Sequence, residues 1–132
     1  MQAIRVLIVD KEMELTSILT DRLCSWGFAA TAANSVEEAL AAQTALTPEV
    51  AVIVLRDRDG RGLDLMSLLQ ASDPAIQVIL LPCKGAAIAG MRGMERGAAD
   101  CIPLPLDLGV LINSVRKATG SSHSIEIEES DP

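Results

Sequence analysis

The chain has 132 residues, a formal net charge of −7 and 49% apolar residues, and its only aromatic side chains are Trp26 and Phe28. This length suffices for one domain with an aliphatic core that depends on neither metal nor disulfides. The negative charge argues against nucleic acid or an anionic membrane surface as a partner, and no apolar run approaches the roughly 20 residues that span a bilayer.

Short apolar runs alternate along the chain with amphipathic segments of helical length. The first run is apolar on both faces, as in a buried parallel strand. The helix after it places Leu15, Ile18, Leu19, Leu23 and Trp26 at helical spacing, and Ser35 with Glu38 forms a capping box that opens the next helix. The predicted order is strand 5–9, helix 12–26, strand 28–32, helix 35–46, strand 50–55, helix 63–70, strand 77–81, helix 84–96, strand 101–102 and helix 106–117.

Five βα units of this length predict an α/β fold with an open, doubly wound parallel sheet. The flavodoxin-like (βα)5 arrangement with strand order 2-1-3-4-5 and helices on both faces fits them, and ligands of such sheets lie at the C-terminal ends of the strands. We predict one domain over residues 1–119 and an acidic, flexible tail over residues 120–132. The tail holds four of the 18 acidic residues and none of the 11 basic ones. Its alternating run Ile125–Glu128 also suits strand addition to a sheet edge.

The number and spacing of the cysteines indicate the redox environment of the protein. Cys24, Cys83 and Cys101 form an odd set without zinc-type spacing, which favours reduced thiols in a cytosol. The N-terminus enters the first strand without a signal-peptide pattern, so we expect a cytoplasmic protein. Because Cys83 and Cys101 fall at the ends of neighbouring predicted strands, a thiol-based redox sensor is one alternative function.

Motifs around these strands have a characteristic order. Asp10 follows the first strand, Pro48–Glu49–Val50 opens the third, Gly62–Leu63 follows it, and Gly97–Ala98–Ala99–Asp100 with Pro105 surrounds the fifth. Together they resemble the receiver domain of a two-component response regulator over roughly residues 4–118. The resemblance implies a phosphorelay signalling module that is not itself an enzyme. It also implies a site in which clustered acids hold Mg²⁺ beside an acceptor aspartate, a Ser or Thr, and a lysine.

Compared with that pattern, most of the chemical positions are changed. Asp10 keeps the first acidic position and Pro105 keeps the proline after the lysine position, which a cis bond often precedes in the family. The replacements are Lys11 at the second metal-binding acid, Val54 at the acceptor, Pro82 at the Ser or Thr, Leu104 at the lysine and Cys101 at the aromatic switch residue. The resemblance therefore implies a degenerate receiver, or pseudo-receiver, that acts by protein–protein interaction.

These replacements predict a pocket filled by side chains. Val54, Pro82 and Leu104 are expected to face one another, and Lys11 is expected either to neutralise Asp10 or to point into water. We expect no cofactor and weak or absent Mg²⁺ binding, because Asp10 and Glu12 beside Lys11 make a poor oxygen-ligand site.

Two further alternatives remain at this stage. Asp57, or Asp10 itself, is a candidate substitute acceptor in a working phosphoreceiver, and the apolar pocket is a candidate small-molecule site. For the degenerate receiver, the resemblance implies that helix 4, strand 5 and helix 5 bind a protein partner or a second copy of the chain. The candidate contact residues on that face are Met91, Met94, Cys101, Ile102, Leu106 and Val110.

Overall fold

The structure, a computed structural model, describes residues 2–56 and 60–120 and contains an alternating series of strands and helices. They are β1 Arg5–Val9, α1 Met13–Ser25, β2 Ala29–Ala33, α2 Val36–Leu46, β3 Val50–Leu55, α3 Arg61–Ser72, β4 Gln77–Pro82, α4 Ala87–Glu95, β5 Asp100–Cys101 and α5 Leu108–Ala118. The strands form one parallel sheet in the order β2-β1-β3-β4-β5, which confirms the predicted flavodoxin-like fold. No helix in the described ranges is both long and apolar enough to cross a bilayer.

The core consists of two clusters on opposite faces of the sheet, because successive side chains of a strand alternate between its faces. The cluster that we call the α2–α4 cluster joins alternate residues of β1, β3 and β4 to three helices; it includes Leu7, Val9, Ala39, Ile53, Leu55, Leu63, Met66, Leu69, Leu80 and Ala89. The cluster that we call the α1–α5 cluster takes the other face; it includes Val6, Ile8, Leu19, Leu23, Val52, Val54, Ile79, Leu81, Leu111, Ile112 and Val115.

Several helix limits differ from the predicted ones for local physical reasons. The fourth helix begins at Ala87 rather than residue 84, because Gly85 has a φ of +93°, which is outside the right-handed helical region. The last helix begins at Leu108, where the Asp107 carboxylate caps it by accepting a hydrogen bond from the Val110 amide. On the first helix, Ile18 and Trp26 are exposed rather than buried.

Two glycines allow α4 to lie close to the sheet. A Cβ atom at Gly90 would come within 2.7 Å of Cys101 Sγ and 3.3 Å of Pro82 Cγ, and one at Gly93 would meet the side chains of Leu80 and Leu63. Both glycines are buried. The glycines that weaken this helix locally are therefore the residues that let it approach β4 and β5.

We expect Gly93→Ala to destabilise the domain. Overpacking costs about 1–3 kcal/mol, against a gain of about 1 kcal/mol from replacing glycine inside a helix. Denaturant unfolding at equilibrium measures the difference. The matched control is Gly109→Ala in the first turn of α5, where the nearest atom to a new Cβ is Asp107 Oδ1 at 3.3 Å. The control should stay near wild type; a Gly93→Ala protein that is more stable than wild type would contradict the close packing.

Candidate functional site

A pocket of about 190 Å³ opens at the C-terminal ends of β1 and β3. These two strands are neighbours in the sheet, although the chain leaves them toward opposite edges, and this switch point is where open α/β sheets bind ligands. The pocket is lined by Val9, Asp10, Lys11, Asn34, Ser35, Val36, Ile53, Val54, Arg56, Arg61, Gly62 and Leu65.

An ion pair between Asp10 and Arg56 dominates this pocket. Arg56 Nε donates to Asp10 Oδ1 and Arg56 Nη2 donates to Asp10 Oδ2, both over 2.7 Å. The Asp10 side chain is 1% exposed and that of Arg56 is 28% exposed. The hydrogen bonds to Asp10 raise the pKa of Arg56 above its already high ordinary value, so the guanidinium carries its charge throughout the physiological pH range. Bidentate, charge-assisted pairs of this kind are among the stronger polar contacts in proteins.

The backbone of Asp10 is held as firmly as its carboxylate. Its amide donates to the carbonyl of Ala33 over 3.2 Å. Asn34 Nδ2 donates to the Asp10 carbonyl over 2.8 Å and to Thr16 Oγ1 over 2.9 Å. The end of β1 is thereby tied to the end of β2 and to the first turn of α1, which fixes the position from which Asp10 meets Arg56.

Of the two alternatives for Lys11, the structure has the second: Lys11 is an exposed residue at the pocket rim, and Arg56 rather than Lys11 neutralises Asp10. Sheet register explains the difference. Val9 lies opposite Ile53 in the parallel pair, so Asp10 is level with Val54, two residues before Arg56, and the long Arg56 side chain reaches back to it. A guanidinium also matches both carboxylate oxygens at once, which an ammonium group does not.

The three apolar replacement residues do not all meet. Val54 is 7% exposed and belongs to the α1–α5 cluster, against which Leu104 also packs. Pro82 is opposite Leu55 in the sheet and its ring lies beside Gly90 of α4. The expectation that Pro82 faces Val54 is therefore wrong, because the alternation of side chains places the two on different faces. The Leu104–Pro105 peptide bond is cis.

These residues do not fit a magnesium site. Mg²⁺ requires oxygen ligands in near-octahedral geometry, but both carboxylate oxygens of Asp10 already accept hydrogen bonds from Arg56. The next residue in the sequence is the basic Lys11, which would repel a cation, and the side chain of Glu12 is exposed. Within residues 2–56 and 60–120, no three His, Cys, Asp or Glu side chains are grouped so as to hold a metal. Asp57, the candidate substitute acceptor, and the tail from residue 121 onward lie outside the described residues.

The two cysteines considered for redox chemistry pack against different clusters. Cys83 lies against the α1–α5 cluster and Cys101 against the α2–α4 cluster, where its sulphur faces Gly90. The two thiols therefore lie on opposite faces of the sheet. Burial, and secondarily the charge of Asp100, raises the pKa of Cys101, which lowers the fraction of reactive thiolate near neutral pH.

The candidate interaction face contains exposed and buried members. Met91 is 65% exposed, Met94 43% and Val110 49%, whereas Ile102 is 8% exposed and belongs to the core. Cys101 and Leu106 are half-buried. Ile88, which is 67% exposed on α4, was not among the predicted contact residues. The sequence feature that could have predicted this exposure is the pair Gly90 and Gly93. Both glycines lie on the side of α4 that faces the sheet, and Ile88 and Met91 lie on the other side.

Comparison with known proteins identifies the family to which this fold belongs. The family model of the response regulator receiver domain matches residues 6–116, and the chain belongs to this family. The transcriptional regulatory protein ZraR of Escherichia coli K12 is 27% identical over 125 residues, which are 95% of this chain and 28% of ZraR. The photosynthetic apparatus regulatory protein RegA of Cereibacter sphaeroides is 31% identical over 102 residues, which are 77% of this chain and 55% of RegA.

Solved structures support the same fold. The crystal structure of a response regulator receiver domain protein from Clostridium thermocellum has a TM-score of 0.81 at 20% identity, covering 88% of this chain and 94% of that one. The chain thus has the fold and family of a two-component receiver domain, and it spans 28% and 55% of the length of the two curated relatives.

Removal of the Arg56 side-chain charge should destabilise the domain. In Arg56→Met the Asp10 carboxylate would be buried without its partner, and such losses cost about 3–5 kcal/mol in fully buried pairs. We expect about 3 kcal/mol here, since Arg56 retains some contact with water. Denaturant unfolding measures the change, with Arg92→Met on the exposed surface of α4 as the matched control.

A double-mutant cycle then isolates the pair. If the two side chains act on each other, Asp10→Asn should reduce the cost of Arg56→Met by at least about 1 kcal/mol. Additive losses in the Asp10→Asn, Arg56→Met double variant would contradict the assigned ion pair.

Proposed function

We propose that this chain is a receiver domain that is not phosphorylated at position 54 and that signals by binding another protein. The observation that carries the proposal is the Asp10–Arg56 pair next to a buried Val54. Valine offers no nucleophilic oxygen, and the one acid retained from the family pattern in this pocket has both oxygens occupied by an internal cation.

The electrostatics of phosphoryl transfer support this reading of the site. The transferring group needs cations that stabilise its charge and a carboxylate that receives it. Here Arg56 supplies a permanent positive charge, but Leu104 replaces the lysine that would pair with the product. A pocket in which an arginine already neutralises the acid, and whose other walls are apolar, favours a domain that stays in one state over a domain that is phosphorylated and dephosphorylated in turn.

The proposed output is a protein contact through α4, β5 and α5, with a protein partner or a second copy of this chain. The exposed apolar side chains Ile88, Met91 and Met94 of α4, together with Val110 of α5, support this choice. We propose no enzymatic activity, no cofactor, no nucleic-acid or membrane partner and a cytoplasmic location. Of the alternatives, phosphorylation at Asp57 is tested by the same experiment as the main proposal, and no contact between described residues favours a redox function.

The central test is incubation with acetyl phosphate and Mg²⁺, followed by mass spectrometry of the intact protein and its peptides. We expect no added phosphoryl group, because Val54 cannot accept one. A phosphoryl group mapped to Asp57 would replace the proposal with a phosphoreceiver that uses a substitute acceptor. A phosphorylated Asp10 would equally contradict it.

The variant Val54→Asp distinguishes a missing nucleophile from a changed pocket. Burial disfavours the charged form and raises the pKa of the new carboxyl. The folded state then holds a proton that the unfolded state has released, so the stability lost at neutral pH should return in part as pH falls. The variant should also remain unlabelled by acetyl phosphate. A labelled variant of wild-type stability would mean that only the nucleophile is absent; Val36→Asp, at an exposed position lining the same pocket, is the control for added charge.

Magnesium binding should be weak in the wild type, and it should become stronger when Asp10 is freed from its ion pair with Arg56. Isothermal titration calorimetry should give no saturable signal below about millimolar Mg²⁺, by analogy with the weakest oxygen-ligand sites. The double variant Lys11→Asp, Arg56→Met frees Asp10 and adds a second carboxylate, so it should bind Mg²⁺ more tightly. The double variant Lys84→Asp, Arg92→Met makes the same change of −3 in net charge at exposed positions away from the pocket and is the control. Micromolar affinity in the wild type would contradict the proposal.

A further inference from the structure

We propose that the pocket between the ends of β1 and β3 binds a small organic anion, with its charged group at Lys11 and Arg56 and its apolar part on Val9, Ile53 and Val54. This goes beyond the proposed function, because it concerns a ligand rather than phosphorylation or the protein contact. It is also independent of that proposal, since a receiver with or without a substitute acceptor could carry such a site.

The first argument is the charge of the lining. Among the described residues that line the pocket, Asp10 is the one acid, whereas Lys11, Arg56 and Arg61 are basic. The Asp10 charge is matched by Arg56, which leaves Lys11 at the rim as a positive charge that forms no ion pair within residues 2–56 and 60–120. Where the family pattern places acids for a metal cation, this pocket attracts an anion.

The second argument is the hydrogen-bonding capacity that remains. The bonds of Arg56 to Asp10 use Nε and Nη2, and no bond from Nη1 joins it to another described residue. Lys11 is exposed at the rim and forms no ion pair within the described ranges. Among the described residues, one guanidinium nitrogen and one ammonium group at the same opening therefore have no acceptor, and both donate well to phosphate or carboxylate oxygens.

The third argument is the shape and chemistry of the rest of the pocket. Its floor and walls include Val9, Ile53, Val54, Val36 and Leu65, which suit an apolar group rather than a bare ion. The volume of about 190 Å³ is below the roughly 300–1,000 Å³ of sites for drug-sized ligands. The occupant is therefore a phosphate or carboxylate attached to a short apolar body, at the strand ends where open α/β sheets hold ligands.

The test uses phenyl phosphate as the probe, with inorganic phosphate and phenol as its two halves. Binding is followed by changes in the backbone amide ¹H–¹⁵N NMR spectrum during titration. We expect saturable shifts for phenyl phosphate at the amides of Val9, Asn34 and Val54, with weaker binding of either half alone. Affinity for phenyl phosphate should also fall as salt is raised, because the charged contacts are partly exposed to solvent.

Variants locate the charged contact. Lys11→Gln should weaken phenyl phosphate binding by about tenfold, the effect expected from losing one charge-assisted hydrogen bond. Lys84→Gln, an exposed lysine outside the pocket, should leave it unchanged. Both positions are exposed, so both variants should fold, and their wild-type spectra without ligand would verify this.

Three results would overturn the anion site: no saturable shift with phenyl phosphate, shifts confined to residues away from the pocket, or equal weakening by Lys11→Gln and Lys84→Gln. Phenol binding as tightly as phenyl phosphate would also overturn it, since the pocket would then be an apolar cavity without anion recognition. None of these results bears on the proposed function, which depends on phosphoryl labelling. Conversely, phosphoryl labelling at Asp57 would overturn the proposed function, and the anion site would still be tested by the titration with phenyl phosphate.

Discussion

The arrangement of the site depends on one ion pair, between a carboxylate that has almost no contact with water and a guanidinium that retains some. Burial of an isolated carboxylate is costly, so Asp10 can occupy the end of β1 in its charged form only because Arg56 reaches it from the end of β3. The pair also bridges the two strands at the switch point of the sheet. The pair leaves no free carboxylate oxygen on Asp10, and it leaves Lys11 as the positive charge at the rim of the pocket.

The core of the domain and a few polar contacts hold the ends of β1 and β3 next to each other. β1, β3 and β4 are buried on both faces by aliphatic side chains, and Asn34 ties the loop after β2 to the backbone of Asp10 and to Thr16. At the opposite side of the sheet, Asp100 Oδ2 accepts a hydrogen bond from Ser114 Oγ over 2.7 Å, which joins the edge strand β5 to α5. These polar contacts hold the elements around the pocket and the candidate interaction face at defined positions on an otherwise apolar framework.

Much of this architecture was predictable because the strongest signals are local. The apolar runs Val6–Val9 and Val50–Leu55 predict β1 and β3, which the structure has at Arg5–Val9 and Val50–Leu55. Ser35 caps α2 as predicted, by accepting a hydrogen bond from the Glu38 amide. Arg56 was not recognised as the partner of Asp10, because that contact arises from strand register across 46 positions of sequence. Ile18 and Trp26, although at helical spacing with Leu19 and Leu23, are exposed. The polar Thr16 is buried instead, where its hydroxyl accepts a hydrogen bond from Asn34.

The contact of Gly90 with Pro82 and Cys101 has a consequence for how such a domain would be controlled. A serine or threonine at position 82 could rotate its hydroxyl and so report the state of the pocket to α4, but a proline ring has neither the hydroxyl nor the rotational freedom. Under the proposed function, position 82 therefore provides no switch for the helix that carries Ile88 and Met91. Under that function the binding surface is presented without a covalent switch, so its occupancy follows mass action. The fraction of partner bound then depends on the concentrations of the two proteins, and control passes from covalent chemistry to synthesis and turnover.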